Sequence, residues 1–310
     1  MSEDEFGSVG PVVVLTALSL EYEAVRAHLR SPRRLVHENT CFEVGTVSGV
    51  ACPVILAEAG AGNRPTAYVT EQARVRFTPS AIVFVGVAGS LKADIRVGDV
   101  LVGTKIYAYD GAKHVDGAVL ARPESWPAPH GLLQTARHAL RGDVWRQRIA
   151  NVRSGGDQHL PEVHFKPIAS GEGVLSSLDS GLRELLHRHY NDAGAIEMES
   201  AGLAAAGSLG GVQTLTVRGI SDCADSGKEA ADAAGSQPAA AAHAAAAAIE
   251  IIAALPDTVQ TRPVAEAVTG APKAVQVNTA HDQGTVNAVQ HGNLTITQTP
   301  WSNEPRPGRQ

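Results

Sequence analysis

Cysteine is scarce in this chain. Cys41, Cys52 and Cys223 are the three among 310 residues, and they are scattered without metal-ligand spacing. That argues against a disulfide framework and points to a reducing compartment. Cys223 adjoins Asp222, but a thiol nucleophile needs a base beside it and the sequence offers none, so Cys223 reads as packing. Positive charge is not in excess either. Twenty-six Lys and Arg against 32 Asp and Glu give a net charge of −6 and remove the electrostatic case for binding duplex nucleic acid. No apolar run is long enough to span a bilayer. The opening Met-Ser-Glu-Asp-Glu-Phe lacks the basic and apolar regions of a signal peptide. The expectation is a cytoplasmic protein with neither a nucleic-acid nor a membrane partner. His187 and His189 stand two apart, off any shared helix face, so no metal site is expected.

What the chain does have is apolar substance in short runs. With 44% hydrophobic residues it can bury a full core. Pro11–Leu18 is a β-branched run that reads as a central strand. Tyr22, Val25 and Leu29 then follow at helical spacing. Cys41–Val47 and Ala51–Ala57, parted by Ser48-Gly49, suggest a hairpin. The turn Ala59-Gly-Ala-Gly-Asn63, whose glycines let the backbone approach a neighbour closely, leads into a helix over 65–76. Ala81–Leu91 is a buried strand and turn, and Val97–Gly103 enters another strand. Residues 108–165 read as an insertion with a helix from about Leu132 to Ile149 and a loop at 153–159. A helix over Leu178–Tyr190 and an alanine-rich helix over Ala239–Leu255 complete a domain spanning 1–255. Residues 256–273, with three prolines, read as a linker. Residues 274–310 carry period-two runs that are either short strands needing a partner or a disordered tail.

Two acidic motifs organise the rest. Gly194-Ala-Ile-Glu-Met-Glu-Ser places Glu197 and Glu199 between a short strand and a helix. Arg218-Gly-Ile-Ser-Asp222 ends a buried strand that begins near Leu215. In open α/β sheets ligands bind beyond the carboxyl ends of strands, and both acids sit at such ends. Taken singly, each is a helix N-terminal acid favoured by the helix dipole.

As a pair, Glu-Met-Glu and Arg-Gly-Ile-Ser-Asp resemble the nucleoside phosphorylase superfamily, and most closely the methylthioadenosine/S-adenosylhomocysteine nucleosidases. The resemblance covers almost all of residues 10–255. It implies an α/β three-layer sandwich, a mixed central sheet with helices on both faces, and a homodimer. It assigns Glu199 and Met198, with Glu197, to the ribose hydroxyls. Asp222 becomes the acid that protonates purine N7, and Ser221 its neighbour at the substrate. Glu21, at the first strand–helix junction, becomes the residue that activates water, with Glu23 as the alternative. Val174 and Leu175 fall where that family reads the base, Val87 and Ala88 in its small-residue turn, and Gly60 near the ribose.

One departure bears on the nucleophile. The phosphorylases hold inorganic phosphate with an arginine and a serine, and the matching positions here are Phe84 and Val87. Neither side chain binds an anion, which favours hydrolysis over phosphorolysis. The implied reaction releases a free purine base from a nucleoside and requires no cofactor. A 5′-thio or unmodified purine nucleoside is ranked first. Lys105, Lys113, His114, Lys166 and Lys228 keep open a purine nucleotide of the ATP or AMP type, whose cleavage would serve defence or signalling, with 274–310 as a module for a protein partner. A catalytically dead nucleoside-binding module would need one of the carboxylates lost, and none is missing.

Overall fold

The computed structural model describes residues 10–116, 118–149, 160–173, 181–224 and 235–255. The expectations placed on 153–159, on Val174 and Leu175, on Lys228 and on everything after Leu255 lie outside the described residues. Twelve described strands are β1 Val12–Thr16, β2 Leu29–His37, β3 Thr40–Val47, β4 Val54–Glu58, β5 Ala81–Ser90, β6 Val100–Ala108, β7 Ala112–Val115, β8 Ala118–Ala121, β9 Glu124–Pro127, β10 Val163–Ser170, β11 Ala195–Glu197 and β12 Gln213–Asp222. The helices are α1 Ser19–Arg26, α2 Asn63–Phe77, α3 His130–Ala139, α4 Gly181–His189, α5 Ser200–Gly210 and α6 Ser236–Ala253.

Ten strands form one mixed sheet in the order β11-β10-β6-β12-β5-β1-β4-β3-β2, with β9 paired to β6. β1 lies parallel to both β4 and β5, while β12 lies parallel to β5 and antiparallel to β6. β11 pairs with β10 and also, antiparallel, with β5 through Ala195↔Ser90 and Ile196↔Gly89. β5, β12, β6, β10 and β11 therefore close into a ring, which carries Glu197 beside the end of β5.

Period-two alternation divides the core. Val12 and Val14 of β1 face a cluster with Val25 of α1 and the alanines and isoleucines of α6. Val13 and Leu15 face Val69, Ala73 and Phe77 of α2 and Leu203 of α5. Burying a side chain such as Leu15 or Phe84 stabilises by ~1.5–3 kcal/mol. Helices thus cover both faces, as the sandwich expectation requires. The alanines of α6 serve close packing: Ala240 and Ala244–Ala248 are buried, and a Cβ on Gly219 of β12 would collide with the Ala240 carbonyl.

The sequence reading needs three corrections here. Leu29 does not continue α1, which ends at Arg26; it opens β2, an edge strand that tolerates Pro32 at a register irregularity between Arg30 and Arg33. The single helix expected over 132–149 is broken. α3 stops at Ala139, and after Gly142 a 3-10 turn at Val144–Arg148 buries Trp145 against the α6 face. The stretch after Ala108 contains the β7–β8 hairpin and β9.

Candidate active site

Glu21 is the third residue of α1, and its carboxylate turns back on the chain. Oε2 accepts the backbone N–H groups of Ala17 at 2.8 Å and Leu18 at 3.0 Å. This is the helix-capping role that an N-terminal acid is expected to fill. Its other oxygen leaves the helix and accepts the Val87 N–H of β5 at 2.8 Å. Burial pushes the Glu21 pKa up, opposed by Arg218 and these backbone donors. Glu23, the alternative, is exposed.

Glu197 and Glu199 divide their work. Glu197 caps α5, accepting the N–H groups of Glu199 and Ser200 and the Ser200 hydroxyl. Glu199 is thereby released from its own helix. Its Oε1 accepts the Gly62 N–H at 3.0 Å and its Oε2 meets Arg218 at 3.1 Å. Arg218 is 0% exposed. It also pairs closely with Glu197, and its guanidinium lies 4.5 Å from the centre of the Phe84 ring. Glu21 adds a further electrostatic partner. Gly86 makes room for this packing, since a Cβ there would stand 2.8 Å from Glu21 Oε1 and collide with Arg218. Glu199 is pushed up to about 7, chiefly by burial, with Arg218 opposing and Glu197 adding to the rise.

Asp222 ends β12 just past a register shift between Ile220 and Asp222, a local irregularity that re-aims a side chain. Oδ1 accepts the Ala224 N–H at 2.8 Å and Oδ2 accepts the Ser221 hydroxyl at 2.8 Å. A Cβ on Gly89 would stand 2.8 Å from Oδ1, so that glycine admits the carboxylate.

These groups meet in one cleft of about 200 Å³. Glu21, Glu197, Met198, Glu199, Ser221 and Asp222 line it together with Val87 and Ala88. The remaining described wall is mostly small or apolar, with Ala17, Leu18, Ala61, Gly173 and Ile196. Of the turn at 59–63, Ala61 rather than Gly60 lines the cleft, and Gly62 supplies the N–H to Glu199. Among the described residues none of Lys105, Lys113 or Lys166 lines it. Lys105 instead lies over the Tyr107 ring, and Lys113 is exposed on β7.

Sequence reasoning passed over two contributors. The motif does not mark Arg218, whose signal is that a lone charge inside an apolar strand must find buried partners. Asn63 had no signal at all; its Oδ1 accepts the Ser170 hydroxyl at 3.1 Å and the Gly202 N–H at 2.9 Å, tying the start of α2 to β10 and α5. Among the described residues no group of three or more His, Cys, Asp or Glu is arranged for a metal ion, and no helix is long and apolar enough to cross a membrane.

Known proteins resemble both the sequence and the fold. ATP nucleosidase Cap17 of Escherichia coli is 29% identical over 239 residues, which cover 70% of this chain and 47% of that protein, so the match spans about half of its length. The 5′-methylthioadenosine/S-adenosylhomocysteine nucleosidase of Chromohalobacter salexigens is 25% identical over 223 residues, 70% of this chain and 86% of that one. The solved nucleosidase of the same name from Neisseria meningitidis, in complex with methylthio-immucillin-A, superposes with a TM-score of 0.67 at 23% identity, covering 80% of this chain and 100% of its own. The model of the phosphorylase superfamily matches residues 11–255, and the chain belongs to that superfamily.

Proposed function

We propose that this protein hydrolyses the N-glycosidic bond of a purine nucleoside and releases the free base. The observation that carries this is the charge arrangement at Arg218. One fully buried guanidinium is shared among Glu197, Glu199 and Glu21, and the resemblance puts Phe84 and Val87, which have no anion-binding side chain, at the positions that hold phosphate in the phosphorylases. No described cation in the cleft is left for inorganic phosphate, and three carboxylates disfavour a second anion. Water is the nucleophile that fits.

In this reading the C1′–N9 bond lengthens while Asp222 gives a proton to purine N7, because a purine anion leaves badly. Glu199, with Met198 beside it, holds the ribose hydroxyls as positive charge grows on the sugar. The water oxygen bonds to C1′ and its proton passes to Glu21. The expected products are base and free or 5′-substituted ribose at any phosphate concentration. Chromatography of a reaction run with and without phosphate tests this. Ribose 1-phosphate as the main product overturns it.

The mostly small and apolar described wall favours a 5′-thio or unmodified nucleoside. The similarity to ATP nucleosidase Cap17 favours a second reading, a purine nucleotide substrate and an effector role for the protein. Residues 1–255 would then be the catalytic part and 274–310, beyond the 256–273 linker, the module that engages a second copy or another protein. Relative kcat/KM on methylthioadenosine, adenosine, AMP and ATP separates the two.

A further inference from the structure

The short segment Gly171–Gly173 leaves the end of β10 and reaches the cleft wall at Gly173. Two consecutive residues grip it. The Tyr109 hydroxyl donates to the Gly173 carbonyl at 2.9 Å. Its ring lies against Gly171, where a Cβ would fall 2.6 and 2.8 Å from ring carbons. Asp110 accepts the Glu172 N–H at 2.9 Å. From the other side, the Gly171 N–H donates to the Glu197 carbonyl at 3.2 Å. Tyr109 is 4% exposed and packs in a cluster with Ile196 and Ala224, both of which line the cleft. Burial, and then the charge of Asp110, push its phenol pKa up, so the hydroxyl remains a donor. The segment is thus held by a ring in the space of a missing side chain, one phenol hydrogen bond and one carboxylate. With glycine at 171 and 173, Glu172 is the segment's one side chain, and it is exposed.

We propose that Tyr109 is a positioning residue for base recognition: by wedging against Gly171 and holding the Gly173 carbonyl, it sets how closely the Gly171–Gly173 segment covers a purine in the cleft. The proposal rests on the nucleosidase reading for the identity of the base. It assigns to Tyr109 an effect on the base half of the ligand and not on the ribose half, because Glu199, the carboxylate proposed for the ribose hydroxyls, stands at the start of α5 and is held by Arg218 and Gly62.

Tyr109→Phe in the full chain keeps the ring and removes the hydrogen bond. Gly171→Ala keeps the hydroxyl and crowds the ring. Binding of adenine and of D-ribose is measured by calorimetry, beside KM and kcat on adenosine. For each variant the expected result is an adenine Kd and an adenosine KM about tenfold higher, the size of one lost hydrogen bond. Ribose affinity and kcat should stay within about twofold. Unchanged adenine affinity overturns the proposal. Equal losses for adenine and ribose also overturn it, since they mark general loosening, and so does a wild-type chain that binds no adenine. A wild type that binds adenine yet releases no base from any nucleoside overturns the catalytic reading alone, and the Tyr109 comparison still runs on binding.

Discussion

On one side of the cleft, Glu21, Glu197, Glu199 and Arg218 hold one another. Their hydrogen bonds run to strand ends and helix starts, and Arg218 and Glu21 are almost wholly buried. On the other side, Asp222 accepts the Ser221 hydroxyl and the Ala224 N–H, both beside its own strand end. The contrast teaches a division of labour. A buried charge cluster costs desolvation and persists only when each member is paired, so that side is rigid and its members depend on one another. Asp222 instead takes a hydroxyl and a backbone N–H from within two residues of itself, and the proposed mechanism gives its carboxyl the part of the acid. Chemistry should therefore fail first at Asp222, and folding first at Arg218.

The sharpest break comes at Asp222. Asp222→Asn preserves size and removes the acid. Base release should fall by about 10³-fold, within the range for loss of a general acid, while the melting temperature and ribose affinity hold. Turnover close to wild type would end the assignment. Arg218→Met tests the opposite side. Removing the cation strands buried carboxylates, and the expected cost is about 3–5 kcal/mol in denaturant unfolding, with a loss of Glu199-dependent binding. If Arg218→Met is as stable as wild type, the two sides of the cleft do not differ in the way described.

The two sides also differed in how far the sequence disclosed them. β1, β5 and β12 were legible as β-branched runs because strands buried on both faces need no polar alternation. Asp222 was legible because it ends such a run. The partnership at Arg218 was not, since the spacing of Glu-Met-Glu does not say which carboxylate caps α5 and which turns into the cleft. That choice is made by the Ser200 and Glu199 N–H groups, which Glu197 takes. β2 carries little strand signal, since Pro32 and three arginines interrupt it and only its edge position makes them tolerable. Tyr109 lies in no motif; its role needs the missing Cβ of Gly171 to be visible.

A smaller effect sharpens the electrostatic side of the comparison. Three carboxylates around one guanidinium should disfavour a polyanionic substrate, and like charges brought together at a binding site cost several kcal/mol. Adenosine and methylthioadenosine are expected to exceed ATP in kcat/KM by about a hundredfold. The reverse order would mean that cations outside the described wall receive the phosphates. The nucleotide reading would then replace the nucleoside one without disturbing the roles of Asp222 and Glu21.

The smallest expected effect is on pH, and its sign follows from Glu199. Its pKa is raised from the usual carboxylate value to about 7, first by burial and then by Glu197, against the pull of Arg218. A raised folded-state value means that the native protein binds the proton more tightly than the unfolded chain. The stability this contributes is present below about pH 4.5 and is lost as pH rises through about 7. Binding runs the other way. The ribose hydroxyls donate to Glu199, so the ionised form is the better acceptor, and kcat/KM for adenosine should rise about tenfold from pH 6 to pH 8. The two slopes have opposite signs and one origin. Glu199→Gln should flatten both, leaving a lower kcat/KM with little pH dependence in this window and a melting temperature that no longer declines toward pH 8. If Glu199→Gln keeps the wild-type pH profile, the titrating group lies elsewhere. Glu21, whose pKa burial also raises, is the next to replace, since the same cluster holds it.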